Sequence, residues 1–223
     1  ALPGIFEQFG SILNVFVGNP DLVPEESFGW DAGIEFTVVP GVATVDVTYF
    51  EADLENEIVG FGNSLINLAD PSERRGIEVA ARAELMPGLN VGAAYTWLDA
   101  SDPSGLAEIR RPENAARFDM NYVFDDGRGN LNLETIYTGE ALDTRFAAFF
   151  ASSDIVELKD YWLVNVAASY KVTPGMELYG RVENLLDEDY QEVFGYETAG
   201  IAAYAGLRFT YVEEATRAWS EGR

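Results

Sequence analysis

The chain has 223 residues, 48% of them hydrophobic and 13% aromatic, with neither cysteine nor histidine. This excludes a disulfide scaffold, thiolate or imidazole metal sites and every histidine-based acid/base or nucleophilic mechanism, and leaves carboxylate chemistry open. Fourteen Lys and Arg against 38 Asp and Glu give a formal charge of −24, which repels nucleic acid and anionic membrane surfaces; the plain reading is a solvated acidic surface, the functional one attraction of cations.

No apolar run approaches the ~18 residues that a transmembrane helix needs, so any crossing of a membrane has to be made by strands. The first residue is Ala1, with no initiator Met and no basic-then-apolar leader, which leads us to expect a mature product or an excised fragment.

Residues 1 to 10 read as the end of a strand. The segment Gly18-Asn-Pro-Asp-Leu-Val-Pro-Glu-Glu-Ser27 has the composition of a loop. A period of two then begins: Trp30, Ala32, Ile34, Phe36 and Val38 alternate with Asp31, Gly33, Glu35 and Thr37. Pro40-Gly41 turns the chain into a second strand with Ala43, Val45, Val47 and Tyr49 on one face. A polar connection over about residues 51–74 leads to Ile77, Val79, Ala81, Ala83 and Leu85, and Pro87-Gly88 turns into Leu89, Val91, Ala93, Tyr95 and Trp97. After a loop containing Arg110-Arg-Pro112, a fifth strand carries Phe118, Met120, Tyr122 and Phe124, and the turn Asp125–Asn130 leads to Leu131, Leu133, Thr135 and Tyr137. A connection over about 139–159 precedes Trp162, Val164, Val166, Ala168 and Tyr170. Pro174-Gly175 then turns into Met176, Leu178, Gly180 and Val182. The last strand, Ile201 to Tyr211, places Ile201, Ala203, Ala205, Leu207, Phe209 and Tyr211 on one face and Ala202, Tyr204, Gly206, Arg208 and Thr210 on the other.

None of the apolar-face positions is charged, and aromatic residues gather at their ends: Trp30, Tyr49, Trp97, Tyr137, Trp162, Tyr170 and Tyr211. Strands near ten residues, joined by connections that alternate short and long, predict an all-β fold: an antiparallel up-and-down transmembrane β-barrel. The short turns mark one rim and the long loops the other. A soluble β-sandwich also alternates, and alternation by itself leaves it open.

Several segments resemble the C-terminal part of the TonB-dependent outer-membrane receptors, most closely the branch that imports cobalamin. Leu2-Pro-Gly-Ile-Phe-Glu-Gln-Phe-Gly10 is similar to the family's Ala-Pro-x-Leu-x-x-Leu-Tyr-Gly run. Gly18 to Ser27 with Trp30 resembles its Gly-Asn-Pro-x-Leu-x-Pro-Glu-x-Ser segment, and Arg75-Gly-Ile-Glu78 its Lys/Arg-Gly-Val-Glu strand start. Val182-Glu-Asn-Leu-Leu-Asp-Glu-Asp-Tyr190, Gly195-Tyr-Glu-Thr-Ala-Gly200 and the final strand resemble its Asn-Leu-Phe-Asp-x-x-Tyr, Gly-Tyr-x-Thr-Ala-Gly and closing assembly signal.

The resemblance covers residues 1–211 and implies the C-terminal portion of a barrel, with about nine or ten of roughly 22 strands. Residues 212–223 form a separate polar tail, a departure from family members that end on an aromatic. It further implies energised uptake of cobalamin or a ferric siderophore across the outer membrane of a Gram-negative bacterium, no cofactor and no catalysis. The implied partners are outer-membrane lipid, the remaining strands and plug of the parent protein, and the TonB complex. Residue by residue, Arg110 of the Arg-Arg pair and Phe150, which follows Thr144-Arg-Phe146, match positions near ligand, and Leu207, Phe209 and Tyr211 match the assembly signal. The plain alternative for Arg110 and Arg111 is pairing with loop carboxylates. The alternative for Phe146, Phe149 and Phe150 is packing of the loop.

Two other functions compete with transport. One is a passive, porin-like or structural barrel. The other is a carboxylate enzyme, for which Glu177 and Glu183 on one strand face are the pair to inspect.

Overall fold

The period of two becomes nine long antiparallel strands. A computed structural model describes residues 1–13, 15–145 and 154–210. In chain order it has helix α1 (Ile5–Phe9) and strands β1 (Ser11–Ile12), β2 (Phe16–Val17), β3 (Glu26–Val39), β4 (Ala43–Glu55), β5 (Ile58–Phe61), β6 (Ser64–Asn67), β7 (Ser72–Met86), β8 (Leu89–Ser101), β9 (Asn114–Phe124), β10 (Gly129–Thr138), β11 (Ala141–Arg145), β12 (Asp154–Leu158), β13 (Tyr161–Thr173), β14 (Met176–Glu183) and β15 (Ala202–Phe209). The main sheet runs β15-β14-β13-β10-β9-β8-β7-β4-β3, and β1-β2, β5-β6 and β11-β12 are separate two-stranded hairpins.

The up-and-down order is the expected one, but the expected barrel is not. Among the described residues no sheet closes: β3 and β15 each have a neighbour on one side only. Alternation reports which face a side chain takes. It carries no information on whether the two end strands meet, because closure depends on strand tilt and stagger. The partial tenth strand expected at the N-terminus is also replaced. Residues 5–9 form α1, where the Glu7 carboxylate accepts from the Gly4 N–H at 2.6 Å, the Gly10 N–H donates to the Phe6 carbonyl at 2.8 Å, and Phe6 stacks on Phe16 at 5.0 Å. Ile5, Phe6 and Phe9 are spaced one and then three residues apart, which suits a helix turn rather than a strand.

Register joins apolar side chains into rows that cross the sheet. Phe36 pairs with Val45, Val45 with Ala81, Ala81 with Ala93, Ala93 with Phe118, Phe118 with Thr135 and Thr135 with Val164. On the opposite face Thr44, Arg82, Gly92, Asp119, Glu134 and Asn165 form the corresponding row. A one-residue slip would place charge among the apolar side chains in every long strand but β8, whose opposite face is uncharged, so the pattern specifies the register. Among the described residues nothing packs over the apolar face: Phe36 is 51% exposed, Leu207 56% and Phe209 71%. The buried apolar side chains, Leu22, Ala100, Leu158 and Tyr161, lie toward the loop end. A β-sandwich would cover this face with a second sheet, and none is present among the described residues.

Aromatic side chains bound the apolar band. Toward the long loops Trp30 meets Tyr49 at 5.3 Å and Tyr137 meets Trp162 at 4.7 Å; toward the short turns Tyr122, Phe124 and Tyr170 form a chain of rings. Along β8 the band runs from Leu89 to Trp97, roughly 26 Å at ~3.3 Å per residue. Several strands continue past this limit, further than the alternation suggests. There the outer row becomes Trp30, Glu51, Arg75 and Asp99, with Arg75 and Asp99 paired at 2.8 Å. The apolar signal ends at the girdle while the backbone ladder does not.

Glycine is required at two kinds of position. Gly41 and Gly88 follow proline in the short turns with φ of 72° and 82°, a backbone state open mainly to glycine. Gly76, in the Arg-Gly-Ile-Glu segment, lies beneath the Phe50 ring, where a Cβ would come within 2.5 Å of Phe50 and 2.4 Å of the Trp97 carbonyl.

Candidate functional site

The long connections and the N-terminal segment gather at one end of the sheet, and polar side chains bind them together. Asn67, at the end of β6, accepts from the Val23 N–H at 2.9 Å through Oδ1 and donates through Nδ2 to the carbonyls of Val23 at 3.0 Å and Asn56 at 2.6 Å. Asn19 donates to the Leu65 carbonyl at 2.9 Å, and the Glu25 carboxylate accepts from the Ile58 N–H at 2.9 Å. These bonds dock residues 17–25 on the β5-β6 hairpin.

Next along the rim, Glu108 receives two guanidinium groups: Arg74 at 2.9 Å and Arg111 at 3.5 Å. Asp102 turns its own loop by accepting from the N–H groups of Leu106 at 3.0 Å and Ser104 at 2.8 Å, and these bonds hold its carboxyl below the usual range. Between these loops and the β11-β12 hairpin lies a pocket of about 670 Å³ with walls from Val59, Leu68, Leu106, Ile109, Leu142 and Ile155. Arg74, Glu108 and Arg111 stand at its polar side. Its shape and lining suit a ligand that is largely apolar and carries a few polar groups.

Beside the pocket, Asp143 of β11 is fully buried. Its Oδ1 accepts from Arg110 Nε at 2.7 Å and from the Thr144 N–H at 2.7 Å, and its Oδ2 accepts from the Phe194 N–H at 2.7 Å. Burial pushes the carboxyl upward, but the two backbone donors and the Arg110 guanidinium outweigh it and hold the group below the ordinary carboxylate range. One carboxylate thus joins three segments: the 102–113 loop, the β11-β12 hairpin and the 184–201 connection.

That connection has a centre of its own. Asn184 is buried with φ of 49°. Its side chain accepts from the Glu188 N–H at 2.9 Å and donates to the carbonyls of Glu188 at 2.9 Å and Ala199 at 3.2 Å, while its N–H donates to Asn165 Oδ1 at 3.0 Å. Asp187 accepts from the Ile201 N–H at 2.9 Å. Tyr190 packs its ring against that of Tyr161, tilted, at 4.5 Å, and burial pushes its phenol pKa up. The Asn-Leu-Leu-Asp…Tyr run is therefore the device that folds the loop between β14 and β15.

Of the residues expected at a site, Arg110 lies at this end with its guanidinium on Asp143, while Phe150 falls outside the described residues. Leu207 and Phe209 stand on the apolar face of the edge strand β15, opposite Leu178 and Met176. Tyr211 and the tail 212–223 lie outside the described residues. Glu177 and Glu183 do not form a catalytic pair. Six residues of strand separate them by roughly 20 Å, against ~5–9.5 Å for glycosidase carboxylates, and each has an arginine partner: Arg208 at 2.7 Å and Arg181 at 3.3 Å.

The residues that the sequence reading did not single out are Glu108, Asp143 and the backbone N–H of Phe194. Asp143 precedes the quoted Thr144-Arg-Phe146 run. Its bond to Phe194 joins positions 51 residues apart, and no periodicity connects them.

Among the described residues, the two-faced antiparallel sheet carries its long connections and the 670 Å³ pocket at one end. The sequence matches the family described as "TonB dependent receptor-like, beta-barrel" over residues 1–185, and the chain belongs to that family of receptors, which are not enzymes. The match ends before Gly195–Gly200 and β15. The vitamin B12 transporter BtuB of Photobacterium profundum is 28% identical over 209 residues, covering 86% of this chain and 32% of that protein. Among solved structures, the pyoverdine outer membrane receptor FpvA of Pseudomonas aeruginosa PAO1 superposes with a TM-score of 0.73 at 20% identity, covering 85% of this chain and 30% of that one. The ferric-catecholate import receptor Fiu of E. coli K12 gives 0.69 at 17%, covering 94% and 30%. The chain thus spans about a third of the length of these relatives, and the structural likeness bears on the fold alone.

Proposed function

We propose that this chain is the C-terminal portion of a transporter in the outer membrane of a Gram-negative bacterium, one that takes up cobalamin or a ferric siderophore with energy delivered through TonB. The family match over residues 1–185 is the observation that carries this reading. The two faces of the sheet support it: the apolar band between aromatic girdles suits hydrocarbon, and the charged face suits water and the plug of the parent protein. The free edges of β3 and β15 meet further strands of that parent. Residues 1–211 act as one unit and 212–223 as a tail, with Leu207, Phe209 and Tyr211 read during assembly. Arg110 and Phe150 contact ligand, a guanidinium fork and an aromatic face being suited to hold a large polar molecule.

The test is uptake of labelled cyanocobalamin and of several ferric siderophores by cells making the parent protein, with and without the TonB complex. Uptake of one ligand that stops when the complex is lost identifies the cargo. Uptake that persists without the complex would instead establish a passive, porin-like protein. The orientation of the sheet has its own test: Val166→Arg on the apolar face should block membrane insertion, whereas Asn165→Arg on the polar face should not.

A further inference from the structure

We infer that Asp143 is a positioning residue whose task is to present the outer edge of the Arg110 guanidinium to an oxyanion on the ligand, a phosphate ester or a carboxylate. The inference rests on the reading of Arg110 as a ligand contact and adds to it the group recognised and the residue that aims it. Three observations carry it.

The first is which nitrogen the ion pair uses. Arg117, Arg145 and Arg208 pair with their carboxylates through a terminal Nη, Arg74 and Arg75 through Nη2 together with Nε, and Arg111 approaches Glu108 through Nε at a looser 3.5 Å. Arg110 pairs through the inner Nε at 2.7 Å. Among the described residues Nη1 and Nη2 of Arg110 make no hydrogen bond, and the side chain remains 45% exposed. The two terminal nitrogens are the edge that matches a phosphate or carboxylate with parallel bonds.

The second is that Asp143 has no freedom to follow a different partner. Its two oxygens are occupied by the Thr144 and Phe194 N–H groups as well as by Arg110, and it is fully buried. The guanidinium is therefore held by a fixed anchor.

The third is the backbone at Arg110, which has φ of 58° and donates its N–H to the Leu142 carbonyl at 2.6 Å. A left-handed conformation at a non-glycine residue is disfavoured and persists where surrounding contacts impose it, commonly at binding sites. Here it fixes the start of the side chain as Asp143 fixes its middle, so the free fork has one direction.

A purely structural ion pair makes different predictions, and Arg110→Lys separates the two. A lysine ammonium can satisfy Asp143 but has no second edge to offer. The full-length protein would be examined by arginine side-chain 15N NMR, thermal unfolding and equilibrium binding of three probes: cyanocobalamin, which carries a phosphodiester; ferric dicitrate, which carries carboxylates; and ferrioxamine B, which carries no oxyanion. We expect one slowly exchanging Nε–H that is absent from R110K and lost in Asp143→Asn. We also expect about tenfold or greater loss of affinity in both variants for whichever oxyanion probe binds, no further loss in the double variant, and a melting temperature for R110K close to that of the unsubstituted protein. Retention of the protected Nε–H in D143N, or undiminished binding of the oxyanion probe by R110K, would overturn the inference. Binding of ferrioxamine B alone would overturn the choice of an oxyanion. If no probe binds, the transport reading fails for these ligands, and the NMR result still decides whether Asp143 positions Arg110.

Discussion

The two ends of the sheet solve the same problem, reversing the chain, by different means. At the short-turn end the solution is local. Pro40-Gly41 and Pro87-Gly88 set the backbone with one φ-restricted residue and one left-handed glycine, and Asp125 accepts bonds from Arg128 and Tyr170 beside its own turn. At the long-loop end the connections carry hairpins of their own, and single side chains act as hubs that tie one connection to another or fold it on itself: Asn67, Glu108, Asp143 and Asn184. The comparison shows where failure should spread. A broken turn loosens one hairpin, whereas a broken hub loosens segments far apart in sequence.

The largest effect should come from Asp143→Ala. It leaves the Phe194 and Thr144 N–H groups and Arg110 without their acceptor, at a cost of about 2–4 kcal/mol after allowing for the half-exposed arginine. Hydrogen exchange should rise together in 102–113, 141–145 and 190–196 while β9 and β10 stay protected; a rise confined to β11 would refute the hub. Asn184→Ala should follow at about 2 kcal/mol, since a buried amide with three side-chain bonds is lost. Its signature is faster proteolysis between residues 185 and 201. Gly88→Ala probes the other end. A Cβ there would stand 2.4 Å from the Val123 carbonyl on a backbone at φ 82°, and we expect about 1–2 kcal/mol. Faster exchange should appear at the β7-β8 turn and nowhere at the loop end. The smallest effect is that of pH. The carboxyls of Asp102 and Asp143 are held below their unfolded values, so the stability they confer is complete above the ordinary carboxylate pKa near ~4 and drains away as pH falls through the lowered folded values. Loop-end exchange should therefore accelerate in strong acid, as should the 125–130 turn, whose Asp125 carboxyl is held low by Tyr170 and Arg128, while the Pro40-Gly41 and Pro87-Gly88 turns do not respond.

Much of the main sheet was legible in the sequence because its physics is periodic. Facing, register and the aromatic limits all follow from where Ile34, Val47, Val79 and their neighbours fall in a period of two, and the Pro-Gly turns declare themselves. What stayed hidden is aperiodic. The free edges of β3 and β15 leave no mark in alternation. The strand ends beyond Tyr49 and Trp97 lie among charged residues that read as loop, and the four-residue strands β5 and β6 are too short to show a period. Arg110 entered through family resemblance. Its anchor Asp143 is separated from it by 33 residues and from Phe194 by 51, and only folding brings them together.

Asn67 has a consequence of a different kind. Its side-chain amide both accepts from and donates to the peptide of Val23, which is the exchange of bonds that a backbone residue makes across a ladder. It works as a single detached rung. The N-terminal segment therefore docks on the loop end without adding a strand to the main sheet, and the rung admits one alignment only: a shift of one residue along that segment would withdraw both groups of Val23 from the amide that meets them.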